Sequence, residues 1–206
     1  VDELLFIDID ATQKKQEPDY ELIRKVSAEC RMPLTYGGGI KNVKQIEKII
    51  SLGVEKVSLS SILFEKINLI REASDIIGRQ SIVATIDIKK TGILKKYKIF
   101  IKNGRVNTKI DPIDFILNLS DFEPGEILIN FIDRDGERIG YDIDYVSKIC
   151  EIIKIPLTVL GGAGSLDDFK LLYNKFGIIG AAAGSVFTLK GKYNAVLINY
   201  PSNKEK

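Results

Sequence analysis

The chain has 206 residues, enough to bury one full core, with 45% hydrophobic and 28% charged residues, as in an ordinary soluble globular protein. Its 30 Lys and Arg against 28 Asp and Glu leave a net charge of +2, which gives no basic footprint for nucleic acid as a main partner. No apolar run reaches the roughly 18 residues that span a bilayer, and no signal peptide is visible. The two cysteines, Cys30 and Cys150, fall in helical patterns, so no disulfide framework is expected and a reducing cytoplasm fits. No Cys/His/Asp cluster has the spacing of a metal site, and no cofactor is implied.

In chain order, apolar strand-like runs alternate with helical stretches. The sequence starts at Val1, without Met, directly before a strand, as a fragment would. Strands are predicted at 4–10, 34–39, 56–61, 81–87, 126–133, 157–162 and 179–185. Helices are predicted at 19–30, 42–53, 67–78, 111–122, 142–153 and 165–177. The start signals agree: Asn42 caps one helix, Asp111 with Pro112 opens another, and Ser165 with Asp168 resembles a capping box. The strands are apolar on both faces, which predicts a buried parallel sheet. Strand–helix alternation through the whole chain predicts an α/β barrel or a doubly wound sheet.

An internal repeat decides between them. "MPLTYGGGI" (32–40) is nearly restated as "IPLTVLGGAG" (155–164). Pro33 and Pro156 stand 123 residues apart, as do Asp19 and Asp142, whereas "FIDID" from Phe6 and "FIDRD" from Phe131 stand 125 apart. Two similar halves, about 1–110 and 111–206, close into one (β/α)8 barrel domain. The strand at 81–87 lacks a twin about 124 residues earlier, so the barrel's first strand is expected to lie outside this sequence. Closure without it would leave two unpaired edges.

Barrel sites form at the C-terminal ends of strands. "YGGG" and "LGGAG" end strands in glycines that let backbone N–H groups approach an anion, and each is followed one strand later by hydroxyls, in "SLSS" (58–61) and "AAAGS" (181–185). Two such phosphate cups facing each other would hold a substrate with a phosphate at each end. Asp8, Asp87, Asp133 and Asp135 also end strands. With no histidine in the chain, proton transfer falls to carboxylates.

"DELLFIDIDA", "PLTYGGGI", "GVEKVSLSS", "ATIDIKK", "GEILINFIDRDGERIGYD", "LGGAGSLDDF" and "AAAGSVF" together resemble the cyclase subunit of imidazole glycerol phosphate synthase, over essentially the whole chain and in order. That family is a duplicated half-barrel. The resemblance implies a lyase/cyclase that uses ammonia from a partner glutaminase, docked at the N-terminal face of the barrel, to cyclise an elongated bis-phosphate in histidine biosynthesis. It places Asp87 on one of two catalytic aspartates. The other belongs to the strand expected outside this sequence, so residues 1–206 alone are expected to lack cyclase activity. It assigns one phosphate cup to Gly39, Ser60 and Ser61 and the other to Gly136, Gly161, Gly162, Gly184 and Ser185, with Asp8 and Asp135 as further acids at the mouth. Glu3, Lys56 and Glu126 fall on three charged residues that gate an ammonia tunnel.

The chain departs from the family around the substrate. Ser60-Ser61 replaces Asn-Thr, Leu160 replaces Ser, Glu137 replaces Thr, and 107–109 reads "NTK" rather than "NTG". The tail "GKYNAVLINYP" (191–201) resembles a paralogous branch associated with sugar amidation in surface glycan or flagellin glycosylation. The alternative expectation is therefore a barrel that passes ammonia to a sugar amidotransferase.

Overall fold

A computed structural model describes residues 2–12, 14, 16–190 and 195–196. Seven parallel strands form the body of one sheet: β1 (Leu4–Ile7), β2 (Leu34–Gly37), β3 (Lys56–Leu59), β4 (Ile82–Thr91), β7 (Glu126–Phe131), β8 (Leu157–Leu160) and β9 (Gly180–Ala182), paired in that order. Helices α1 (Tyr20–Glu29), α2 (Val43–Ser51), α3 (Leu69–Ile77), α4 (Pro112–Ser120), α5 (Ile143–Cys150) and α6 (Leu166–Phe176) alternate with them. Sequential parallel pairing through helical crossovers is the architecture of a (β/α)8-type barrel. Among the described residues, β1 and β9 each pair on one side only, and both are more exposed than the strands between them. The expected tail segment lies outside the described residues, apart from Ala195–Val196 (β11), which pairs with Leu189–Lys190 (β10).

Two further strands escape the reading from sequence. β4 runs to Thr91, and β5 (Lys96–Ile101) folds back antiparallel onto it, followed by β6 (Val106–Asn107). The turn is Lys102-Asn103-Gly104, all at positive φ, and an Asn-Gly pair suits that geometry. The strand expected to continue to 185 instead ends at Ala182 and gives way to a short helix, α7 (Ser185–Thr188).

Side-chain alternation separates two faces. Val57, Ile82, Ala84, Ile86, Ile88, Ile127, Ile129, Phe131 and Val159 are fully buried on the face covered by helices, against Ile46, Ile49, Leu69, Ile70, Ile116, Leu119, Val146, Ile149 and Leu172. Burying each such side chain contributes roughly 1.5–3 kcal/mol. The other face carries Glu3, Thr35, Lys56, Ser58, Thr85, Asp87, Glu126 and Asn130, joined to one another as described below. In a parallel barrel this is the inner face.

The repeat is exact in its pairing. Leu4 N–H donates to the Pro33 carbonyl and Ile127 N–H to the Pro156 carbonyl, both at 2.9 Å. Asp19 Oδ1 accepts from Leu22 N–H at 3.0 Å, and Asp142 Oδ1 from Tyr145 N–H at 3.2 Å. Asn42 and Gln45 cap α2 reciprocally, with Gln45 Oε1 accepting from the Lys41 amide, while Asp168 accepts from the Gly164 and Ser165 amides ahead of α6. All of these equivalences fall 123 residues apart. The 125-residue spacing of "FIDID" and "FIDRD" has a simple origin. The stretch from basal glutamate to apical aspartate is two residues longer in the second half (Glu126 to Asp133) than in the first (Glu3 to Asp8), and the connection from that aspartate to the next helix cap is two residues shorter.

Candidate functional site

At the base of the inner face, Lys56 Nζ donates to Glu3 Oε2 at 2.7 Å and to Glu126 Oε2 at 2.9 Å, and the Thr35 hydroxyl donates to Glu3 Oε1. The three residues arrive from different strands because each stands at or next to the start of β1, β3 or β7 on the same side of the pleat. Burial alone would lower the Lys56 pKa. The hydrogen bonds to Glu3 and Glu126 outweigh it and hold the ammonium above the ordinary lysine value.

One layer up, Ser58 Oγ and Thr85 Oγ1 share a buried hydrogen bond of 2.6 Å. Above them Asp87 stands opposite Asn130 in register, and Asn130 Nδ2 donates to Asp87 Oδ1 at 2.9 Å. The climb from Glu126 to Asn130 is four strand residues, or ~13 Å. Burial pushes the Asp87 carboxyl pKa up. The Asn130 hydrogen bond opposes that shift, and the Asp135 charge adds to it. A carboxyl held above its ordinary pKa is a candidate proton carrier in a chain without histidine.

Gly37 pairs with Ser58 and Leu160 with Ala182, so each glycine segment of the expected cups leaves its strand level with the next strand's end, two residues before Gly39 and Ser60 in the first half and before Gly162 and Gly184 in the second. Gly39 and Gly162 both sit at positive φ, +70° and +113°. The cups differ in what already occupies them. In the first, the Ser61 hydroxyl accepts from the Lys102 amide at 3.0 Å, and the Gly39 amide donates to Thr12 Oγ1 at 3.4 Å. The tip of the β5–β6 hairpin therefore lies on this cup, and Asn103 Nδ2 also donates to the Ile9 carbonyl. In the second, a Cβ built on Gly136 or Gly184 meets nothing within 4 Å, so backbone there is open to a guest. Gly161 is held by packing: at φ +96°, a Cβ would stand 2.5 Å from the Phe131 carbonyl oxygen. The Ser185 carbonyl accepts from Arg138 at 3.5 Å.

The acids have separate positions. Asp8 Oδ1 accepts from the Asp10 and Ala11 amides, both at 3.0 Å, so it shapes its own loop. Asp133 Oδ2 accepts from the Lys90 amide at 3.2 Å, and Asp135 is exposed. A second cluster was not foreseen. Asp142 Oδ2 accepts from Lys90 Nζ at 2.8 Å and from the Tyr97 hydroxyl at 2.7 Å, tying the hairpin to the start of α5. Its partners lie 45 to 52 residues away, beyond any local pattern. Asn130 was also missed. Its only signal is its place on the inner side of β7, four residues beyond Glu126.

The molecule is thus a parallel α/β barrel-type protein with a charged base, a carboxylate–amide pair at the strand heads and glycine segments following β2 and β8. The profile of the family described as "Histidine biosynthesis protein" matches residues 1–194, and the chain belongs to that family. It is 52% identical to a Vibrio vulnificus protein provisionally named imidazole glycerol phosphate synthase subunit hisF3, covering 100% of this chain and 79% of that protein. It is 44% identical to the similarly named hisF2 of Pseudomonas aeruginosa, covering 98% of this chain and 80% of that one. To imidazole glycerol phosphate synthase subunit HisF of Natranaerobius thermophilus it is 37% identical, over 98% of this chain and 80% of the relative. No helix among the described residues is long and apolar enough to cross a membrane.

Proposed function

We propose that this protein is a cytoplasmic cyclase subunit of the imidazole glycerol phosphate synthase type, which receives ammonia from a glutaminase at the base of the barrel and delivers it to a bis-phosphate held at the rim. Support comes above all from the column of polar residues on the inner face, from Glu3–Lys56–Glu126 through Thr35 and Ser58–Thr85 to Asp87–Asn130. Such a column suits a small neutral nucleophile, which finds a hydrogen-bonding group at each layer. At its head, Asp87 acts as the general acid–base. Gly39, Ser60 and Ser61 hold one phosphate, and Gly136, Gly161, Gly162, Gly184 and Ser185 hold the other. The order of chemistry is phosphate capture at both ends, condensation of ammonia with a carbonyl carbon of the bis-phosphate with loss of water, attack of the new nitrogen on the amidine carbon to close the ring, and cleavage of that carbon's bond to the departing aminoimidazole carboxamide ribotide, with Asp87 taking and returning the protons.

The test is turnover of the bis-phosphate by the full-length protein, with ammonium chloride as nitrogen source. Wild-type activity that drops by at least ~100-fold in Asp87→Asn, the usual scale for loss of a general acid–base, supports the reading. Equal activity in the two proteins removes Asp87 from the chemistry.

A second reading is favoured by the first cup, where the chain's own Lys102 amide takes the Ser61 hydroxyl. In it, the barrel conducts ammonia to a sugar amidotransferase and performs no cyclisation. Stimulation of a glutaminase without any turnover of the bis-phosphate would select this reading.

A further inference from the structure

We propose that Asp87 and Asn130 together form a binding site for ammonia, in which the Asn130 side-chain carbonyl is the acceptor that orients the nitrogen beside the carboxylate. The identity of the guest rests on the function proposed above. The site itself rests on geometry.

The Asn130 amide is fixed in orientation. Its Nδ2 donates to Asp87 Oδ1 at 2.9 Å, and beside the ionised carboxylate a flipped amide would set oxygen against oxygen. Oδ1 is therefore committed to the remaining direction. There it is buried and finds no hydrogen-bond partner among the described residues. An empty buried acceptor is unfavourable, and native structures rarely keep one without a guest or a role. Three properties narrow the guest. It must donate, because both Asn130 Oδ1 and the Asp87 carboxylate accept. It must be small, because Oδ1 is sheltered from bulk solvent, whereas the phosphate cups lie at the rim. It must carry at least two donor hydrogens to satisfy amide and carboxylate together. An anion fails the first requirement and a sugar phosphate the second. Ammonia meets all three, and so does its protonated form, whose charge Asp87 would balance. The Ser58–Thr85 hydroxyl pair lies on the same inner face, with Thr85 two strand residues (about 7 Å) below Asp87, so a guest leaving that layer meets this pair next.

Water is the competing guest, and the experiment separates the two. The wild-type protein is melted in ammonium chloride and in tetramethylammonium chloride at matched ionic strength. Tetramethylammonium has no N–H to donate and is too bulky for a sheltered site. The expected result is an upward shift of Tm in ammonium alone, saturating with concentration. In Asn130→Leu the shift is lost. In Asn130→Thr, which keeps a hydroxyl able to donate to Asp87, half-saturation moves at least tenfold higher. In turnover by the full-length protein, Asn130→Thr raises KM for ammonia at least tenfold and leaves KM for the bis-phosphate unchanged. Identical wild-type melting in the two salts means the site holds structural water only and overturns the proposal, with no variant needed. Unchanged ammonia saturation in Asn130→Thr overturns it as well. Ammonium binding without bis-phosphate turnover would instead sink the cyclase reading and leave this site standing.

Discussion

Replacing Lys56 with methionine removes the cation that Glu3 and Glu126 share at the base of the barrel and leaves two carboxylates facing each other. The cost follows from geometry and exposure. Hydrogen bonds to charged groups contribute about 1.5–3 kcal/mol when sheltered, and exposed pairs about 0.2–1 kcal/mol. The Glu126 side chain is 17% exposed and lies 2.9 Å from Nζ, while Glu3 is 36% exposed at 2.7 Å. Shelter, not distance, should rank them. The Lys56–Glu126 coupling is expected at about 1–2 kcal/mol and the Lys56–Glu3 coupling below about 1 kcal/mol, so that Lys56→Met costs ~2–3 kcal/mol in all. Urea unfolding of Lys56→Met, Glu126→Gln, Glu3→Gln and the two double mutants yields both couplings from double-mutant cycles. Urea is uncharged and leaves the ion pairs unscreened. A pH series adds a signature. Because the folded Lys56 pKa lies above its unfolded value, the cluster's contribution is complete below about pH 10.4 and is lost as pH rises through the folded value. That alkaline loss should vanish in Lys56→Met. A stronger coupling to Glu3 than to Glu126, or a total loss under about 0.5 kcal/mol, would refute the assignment of a sheltered, mutually bonded cluster.

Three other expectations concern the rim and the hairpin. Asp87 has a raised folded pKa, so the folded state loses stability as pH climbs from the ordinary aspartate range through that value. Asp87→Asn should therefore raise Tm at neutral pH while it removes the chemistry, and a lowered Tm at pH 7 in thermal melts would contradict the burial argument. Gly161→Ala should cost ~3 kcal/mol or more, from positive φ plus the Phe131 carbonyl, whereas Gly136→Ala, at φ +79° with open space, should cost only about 1 kcal/mol. Equal losses in chemical denaturation would show that packing does not distinguish them. The Asp142 pKa is held down because its hydrogen bonds to Lys90, Tyr97 and the Tyr145 amide outweigh burial, so its contribution is present above about pH 3.9 and lost as pH falls through the lower folded value. Tyr97→Phe should cost about 1 kcal/mol and move the acid unfolding midpoint upward, and an unmoved midpoint would argue against the bond.

Much of this architecture could be read before any coordinates. Strand–helix alternation is a local signal, and Asp19, Asn42, Asp111, Asp142 and Ser165 all open helices where the sequence placed them, because a cap is written within four residues of its helix. Glu3, Lys56 and Glu126 could be grouped because barrel geometry brings strand starts together. The β5–β6 hairpin was missed because its lysine-rich run lacks the apolar density of the buried strands, although Asn103-Gly104 marked the turn. The Asp87–Asn130 pair, the occupation of Ser61 by the Lys102 amide and the Lys90–Tyr97–Asp142 cluster depend on partners 41 to 52 residues apart. Only register fixes such partnerships, and register belongs to the folded sheet.

The two-residue difference between β1 and β7 bears on chimeras. The halves share one spacing from base to sheet, yet the second places its apical aspartate two residues farther along the chain, in the turn that follows β7, and shortens the rest of the connection to compensate. Transplanting the loop after β1 onto β7 would overshoot its helix, and the reverse graft would fall short. Exchange between the halves should succeed only when strand head and loop travel together as a single cassette.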